Sequence, residues 1–335
     1  MAKGNIIPVF IPHLGCPHAC VFCDQKRISG QSAPIAPSGV AAAIERGLEK
    51  NETPAQLAFY GGSFTAIPPA EQEALLEAAA PYLRTGRLSG VRVSTRPDCI
   101  DPEILDRLAR YGVDTVELGA QSMDERVLKA CSRGHSASDT VNASRLIKER
   151  GFSLVLQMMT GLPGSDRERD IETARRLIGL QPDAVRIYPT VVLRGTVLHR
   201  LWQAGTYAEH TVEDAVETCA EILPLFEKAH IPVIRLGLNP SDDLSAGEAV
   251  AGAYHPALGE LVKGRVLLHR ARAVLSHAPR GRSVTLFVGK GRASQMVGQH
   301  RCNLAALEAE FGFEKITIRE REQDGGEVVL GEIIP

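Results

Sequence analysis

A single run, Cys16-Pro17-His18-Ala19-Cys20-Val21-Phe22-Cys23, constrains this chain more than any other stretch. It follows an apolar segment from Asn5 to Pro12, and its Cys-x3-Cys-x2-Cys spacing lets three thiols converge on one metal centre. Three cysteine thiolates on a [4Fe–4S] cube would leave the fourth iron open to a small ligand. A zinc site would need a fourth ligand, for which His13 and His18 stand nearby, and three unrelated core thiols are the remaining reading. The other four cysteines, Cys99, Cys131, Cys219 and Cys302, are scattered and read as small buried or half-buried residues. Seven is an odd number, so a disulfide framework is not indicated.

With 335 residues the chain can bury a large core, with room for a smaller appendage. Apolar residues at 44% and charged residues at 23% are ordinary globular values and argue against disorder. The N-terminus lacks a long apolar segment of the signal-peptide kind, and no 18-residue apolar stretch occurs. A cytoplasmic protein without a membrane partner is therefore expected.

From residue 5 to about 236, short β-rich apolar runs alternate with helical periodicity. The strand candidates are 6–11, 57–60, 91–94, 115–118, 154–158, 184–188 and 233–236. Helical spacing is seen over 39–50, 70–83, 102–111, 140–150, 167–180 and 212–229. Repeated βα units of this length predict a parallel sheet with right-handed crossovers, open or curved into a barrel. Ligands bind such sheets at the carboxyl ends of the strands. The suggestive motifs fall there in order: the cysteines, Gly61-Gly62-Ser63, Arg96-Pro97-Asp98, Gln121-Ser122 and Gly161-Leu162-Pro163-Gly164.

The cysteine spacing, with aromatic Phe22 directly before the last thiol, resembles the signature of the radical-SAM superfamily. A longer resemblance is to the radical-SAM half of the Elongator catalytic subunit. It is carried by His13-x-x-Cys16-Pro17-His18, Tyr60-Gly61-Gly62-Ser63-Phe64, Ser94-Thr95-Arg96-Pro97-Asp98 and Val116–Ser122. It continues through Ser132-Arg133-Gly134-His135, Met159–Ser165, Arg186–Thr190 and Leu193–Thr196, and so spans roughly residues 5–236. A weaker resemblance, to anaerobic coproporphyrinogen oxidases, shares Gly61-Gly62, Gln121-Ser122, Arg133 and Gly161–Pro163. These resemblances imply a [4Fe–4S] cluster on Cys16, Cys20 and Cys23, whose open iron is chelated by S-adenosylmethionine (SAM). They place Gly61, Gly62 and Ser63 at the methionyl amino group, Gln121 at the ribose or methionyl part, and Arg133 at the carboxylate. The Elongator family usually has a ribose-binding carboxylate where this chain has Ser94, and Glu117 is a polar substitute at another strand end. Arg186 and Tyr188 are candidates to face the cavity.

After residue 237 the composition changes. Residues 239–243 read as a linker, and a helix is expected from about His255 to Ser276. A strand (283–288), a glycine turn (289–291), a helix (292–311) and two further strands (314–319 and 327–334) complete the chain. Gln295–His300 superficially echoes an acetyl-CoA loop, but about 50 residues separate it from the barrel, too few for the strands an acetyltransferase domain places first. No acetyl-CoA partner is expected. Met296–Leu307 instead resembles the Gly-x-x-Gly helix–turn–helix of a KH fold, with Arg301 at the second glycine. Residues 261–301 hold nine Lys or Arg and no Asp or Glu, which suggests phosphate binding by Lys290, Arg292, Gln299 and Arg301. The alternative is a solvated face balanced by acidic residues 308–332.

The expected fold is α/β: a partial (βα)6 radical-SAM barrel over 1–237, a helical linker region over 238–280, and a small basic, KH-like α/β domain over 281–335. The expected function is radical-SAM modification of tRNA or rRNA, fed by a donor such as ferredoxin or flavodoxin. The alternatives are a radical-SAM enzyme for a small molecule such as a tetrapyrrole, or a non-catalytic iron–sulfur RNA-binding protein. No catalytic residue beyond the cofactor set is assigned.

Overall fold

The computed structural model describes residues 5–11, 15–24, 35–49, 54–238, 247–278, 283–323 and 326–334. His13, the linker residues 239–243, Arg280 and Arg282 lie outside the described residues. The chain divides into two units, one comprising Met1–Thr211 and Phe226–Tyr254, the other Val212–Leu225 and His255–Pro335.

The first unit is built on seven parallel strands: β1 (Ile6–Phe10), β2 (Ala55–Tyr60), β3 (Leu88–Thr95), β4 (Val113–Gln121), β5 (Ser153–Thr160), β6 (Ala184–Pro189) and β8 (Val233–Leu236). They lie in the order β1-β2-β3-β4-β5-β6-β8 and form a curled half-barrel. Every neighbouring pair is parallel, so each connection must cross over, and helices such as Pro102–Arg110, Ala137–Glu149 and Arg167–Gly179 do so. Local chemistry starts these helices. Asp101 accepts from the Ile104 amide at 2.8 Å, Asp166 from that of Arg169 at 2.9 Å, and Ser136 forms a capping box with Asp139.

Along the strands, alternate side chains leave on opposite faces. One set, including Leu57, Phe59, Val91, Val93, Val116, Leu118, Leu156 and Met158, is wholly buried. Each such side chain contributes about 1.5–3 kcal/mol on burial. The other set faces the barrel interior and is partly polar. A short antiparallel pair, β7 (Val191–Leu193) with β9 (Ala249–Gly252), was not legible in the sequence because its strands are only three and four residues long.

The second unit contains a three-stranded sheet in the order β11 (Lys315–Arg321), β10 (Ser283–Gly289), β12 (Val328–Ile334). β10 pairs parallel with β11 and antiparallel with β12. Its core joins Leu267, Leu268, Ala271 and Leu275 of the helix Leu258–Leu275 to Val284, Leu286, Val288, Met296, Leu304, Leu307 and Ile316. Periodicity suggested one helix over 292–311, whereas the structure has two, Ala293–Val297 and Cys302–Phe311. Gly298, His300 and Arg301 break it, with φ of 76°, 50° and 63°. Arg301 adopts this positive φ although it carries a Cβ. No helix among the described residues is long and apolar enough to cross a membrane.

Candidate functional site

At the carboxyl ends of the first unit's strands lies a cavity of about 640 Å³. Cys16, Cys20 and Cys23 line it, as do Gly61, Gly62, Ser63, Gln121 and Arg133. The ends of three strands, β1, β2 and β4, contribute to this set, which explains why residues more than 100 positions apart meet.

The cysteine segment is anchored through its backbone and apolar residues. The Val21 amide donates to Cys131 O at 3.1 Å, and the Leu198 amide to Val21 O at 2.8 Å. Val21 is buried against Val127, Cys131, Met159 and Leu162, with Phe22 packed beside them. His18 lies over Gly134, whose φ is +72° and whose added Cβ would sit 2.3 Å from the imidazole. That approach and that conformation both require glycine. Burial, then the neighbouring Cys20, push the Cys16 thiol up, against the pull of Arg133 and Arg96. Among the described residues, no three His, Cys, Asp or Glu side chains are grouped as metal ligands. Cys20 Sγ accepts from Arg133 Nη1 at 3.2 Å.

The cavity has unsatisfied polar groups. Ser63 Oγ and Arg133 Nε are buried without a hydrogen-bond partner, and such orphans call for a ligand or water. Gln121 and Gln157 exchange amide hydrogen bonds at 2.8 and 3.3 Å. Gln121 holds φ +64°, unusual for a residue with a Cβ and frequent at binding sites. Gly61 has φ +103° at the turn after β2. His135 donates Nε2–H to Ala120 O at 3.2 Å, leaving Nδ1 buried and unpartnered. Burial, then Arg133 and Arg96, lower its pKa to about 4, so the ring is neutral.

The interior floor holds charges that sequence reading did not connect. Glu117 Oε1 lies 2.9 Å from Arg186 Nε and Oε2 3.3 Å from Arg92 Nη1. Arg186 also donates to Tyr60 Oη at 2.7 Å and Tyr188 Oη at 3.3 Å. Burial opposes charge on Arg186, but Glu117 and the two tyrosines outweigh it and hold its pKa above the usual value. Burial, then Glu117, push Tyr60 up to about 12. Arg186 and Tyr188 thus face the cavity. Each Glu117 oxygen is engaged by an arginine, which argues against a ribose-binding role; Ser94 lines the cavity.

Two motifs lie outside the lining. Asp170 receives the Gly161 amide at 2.8 Å and Ser165 Oγ at 2.6 Å, while Tyr207 donates to Gly161 O at 2.7 Å. The Gly161–Ser165 loop is therefore held from behind. Burial raises the Asp170 pKa to about 7. Ser122 is likewise buried, its hydroxyl beside Thr173 and accepting from the Asp124 amide. Sequence reading also missed Gly119, where an added Cβ would meet Gln121 Nε2 at 2.9 Å and Arg133 Nη2 at 3.2 Å. The alternation of Thr115, Glu117, Gly119 and Gln121 along β4 was the available signal.

In the second unit, the basic stretch is partly neutralised in space. Lys263 pairs with Glu260, Arg265 with Glu213 and Glu217, Arg272 with Glu310, and Lys290 with Glu322. Arg292 donates to Gln295 Oε1 at 2.9 Å. Gln299, His300 and Arg301 are exposed on the left-handed turn between the two short helices.

The sequence profile of the Radical SAM superfamily matches residues 10–177, and that of the Radical_SAM C-terminal domain matches 182–267. The chain belongs to the radical SAM superfamily, whose members bind a [4Fe–4S] cluster and SAM. It is 33% identical over 173 residues to a tRNA uridine(34) acetyltransferase of Methanocaldococcus infernus, covering 51% of this chain and 32% of that protein. It is 34% identical over 181 residues to Elongator complex protein 3 of Homo sapiens, covering 53% and 32%. A solved structure of Methanocaldococcus infernus Elp3 with an N-terminal deletion superposes with a TM-score of 0.61 at 26% identity, covering 77% of this chain and 62% of that one. The chain spans about a third of the length of these two curated relatives.

Proposed function

We propose that this chain is a radical-SAM enzyme that modifies an RNA base in tRNA or rRNA. The observation that carries the reading is the convergence of Cys16, Cys20 and Cys23 with Gly61, Gly62, Ser63, Gln121 and Arg133 on one cavity at the strand ends. Three thiols suit a cluster with one open iron, and the orphaned Ser63 Oγ and Arg133 Nε suit a polar ligand beside it. Cys16, Cys20 and Cys23 would hold the cluster, while Gly61, Gly62, Ser63 and Gln121 would seat SAM, with Arg133 between the two. When bound, this pair supplies a 5′-deoxyadenosyl radical, made by one-electron cleavage of SAM, that abstracts a hydrogen atom from substrate.

The residues of the chain do the rest. The Gly61-Gly62 turn lets backbone approach the ligand closely, and Ser63 Oγ offers it a hydrogen bond. Phe22, Tyr60, Met159 and Tyr188 wall the cavity and exclude water from a reactive centre. The RNA assignment is supported by the tRNA-directed relative and by the turn Gly298–Arg301, whose last three residues are exposed and which sits between two helices as a KH-like loop does. Lys290, Arg292, Gln299 and Arg301 would contact phosphates. A ferredoxin or flavodoxin would deliver the electron, acetyl-CoA has no role, and the protein would act in the cytoplasm.

The test is SAM cleavage by the anaerobically reconstituted, reduced protein, with and without total cellular RNA. The expected result is 5′-deoxyadenosine production that rises with RNA and disappears in Cys20→Ala. Cleavage indifferent to RNA would point to a small-molecule substrate, and its absence in both conditions would count against catalysis.

A further inference from the structure

Arg133 touches a cysteine of the proposed cluster as well as the backbone of Gly119 in the cavity lining. Its side chain is nearly buried, with Nη1 donating to Cys20 Sγ at 3.2 Å and Nη2 to Gly119 O at 2.6 Å. The backbone holds it in place: its amide donates to Leu128 O at 3.0 Å, and its carbonyl accepts from Arg96 Nη2. Arg96 is itself clamped by Asp98 through two hydrogen bonds of 2.9 and 3.0 Å. Gly119 opens the slot that the guanidinium fills, since any Cβ there would lie 3.2 Å from Nη2. A surface arginine that had drifted against a thiol would not have its backbone, its fork and its slot all specified.

We propose that Arg133 is a positioning residue for the iron–sulfur centre, whose N–H···S hydrogen bond to Cys20 raises the reduction potential of the cluster. The inference rests on the reading that Cys20 ligates a [4Fe–4S] cluster. Reduction from the 2+ to the 1+ state adds one electron, drawn from an external low-potential one-electron donor, and no bond forms or breaks in that step. The added negative charge is shared with the ligating sulfurs. A cationic donor on one sulfur therefore stabilises the reduced form more than the oxidised one. Partners of this kind beyond the ligands themselves tune a metal site. Low dielectric around the buried guanidinium strengthens the effect.

The experiment is a redox titration of the reconstituted full chain without SAM, using dithionite and mediators and following the reduced cluster by electron paramagnetic resonance. In Arg133→Gln the equilibrium constant for reduction should fall about tenfold, which for a one-electron couple is about 59 mV more negative. Arg133→Lys, which keeps a cationic donor, should recover part of that shift. Gly119→Ala changes no charge but displaces the guanidinium, and should shift the potential in the same direction by less. An Arg133→Gln protein with full iron content and an unchanged potential would overturn the proposal. If the same protein bound SAM more weakly in equilibrium dialysis, Arg133 would serve SAM alone. Should Arg133→Gln assemble no cluster, an unchanged potential in Gly119→Ala would overturn the proposal equally. A wild-type chain that takes up no four-iron cluster would sink the cluster reading itself, a result distinct from an intact cluster with an indifferent arginine.

Discussion

Arg186 and Lys290 each face a glutamate, and the two pairs obey different physics. Arg186 and Glu117 are 11% and 7% exposed, on the floor of the first unit's cavity. Lys290 and Glu322 are 69% and 83% exposed, in the second unit. A buried pair costs desolvation on both sides and is held by several partners at once, so removing one leaves the other stranded. An exposed pair is screened and can exchange its glutamate for another anion at little cost. The interior arginines of the first unit therefore build a fixed wall. The outer cations of the second unit remain available, although glutamates already sit beside several of them.

The comparison breaks most sharply at Glu117. Glu117→Gln leaves Arg92 and Arg186 in the interior without their counter-charge, and a loss of about 3–5 kcal/mol is expected in urea unfolding. A loss below about 1 kcal/mol would mean that the floor behaves like a surface pair. Protonation offers a second lever. The folded His135 keeps its pKa near 4, while the unfolded ring titrates near its ordinary value of about 6.5. Its contribution is thus fully present above about pH 6.5 and is lost as pH falls through about 4. That window is worth roughly 3 kcal/mol, so His135→Gln should flatten stability against pH between about 4 and 6.5. An unaltered slope would show that other groups carry the acid sensitivity.

Gly134→Ala should cost about 1–2 kcal/mol, because alanine resists φ +72° and its methyl would displace His18. Iron uptake after reconstitution should fall with it; full uptake would show that His18 packing does not position the cysteine segment. The smallest change in stability is expected at the surface. Lys290→Ala should alter unfolding by less than about 1 kcal/mol. Arg301→Ala should weaken RNA binding and reduce the slope of log affinity against log salt by about one. Equal slopes for Arg301→Ala and wild type would remove the turn from the RNA surface.

Much of the first unit was legible because its signals are local. Apolar runs, helix caps such as Asp101 and Asp166, and the cysteine spacing all act over a few residues. The strand order and the convergence at one cavity then follow from successive βα units whose strands pair in parallel. The exchange between Gln121 and Gln157, and that among Glu117, Arg92 and Arg186, depend on strand register and could not be read from neighbours in the chain. The Gly161–Ser165 loop lies at the strand end where its sequence puts it, while its polar contacts go to Asp170 and Tyr207, which no neighbour in the chain announces.

The second unit separates the two kinds of information again. Nine cations without an acid over 261–301 is a property of the sequence, and the turn at Gly298 was marked by its glycine. That Glu213, Glu217, Glu310 and Glu322 would come to meet several of those cations was decided by folding. So was the left-handed conformation of His300 and Arg301. The sequence by itself determined the βα alternation and the three-thiol segment, because periodicity and spacing are written along the chain, and its motifs carry the resemblance to the radical SAM superfamily. Tertiary structure alone decided which charges are buried, which are paired and which sulfur meets an arginine, because Coulomb energy and desolvation depend on distances across the fold.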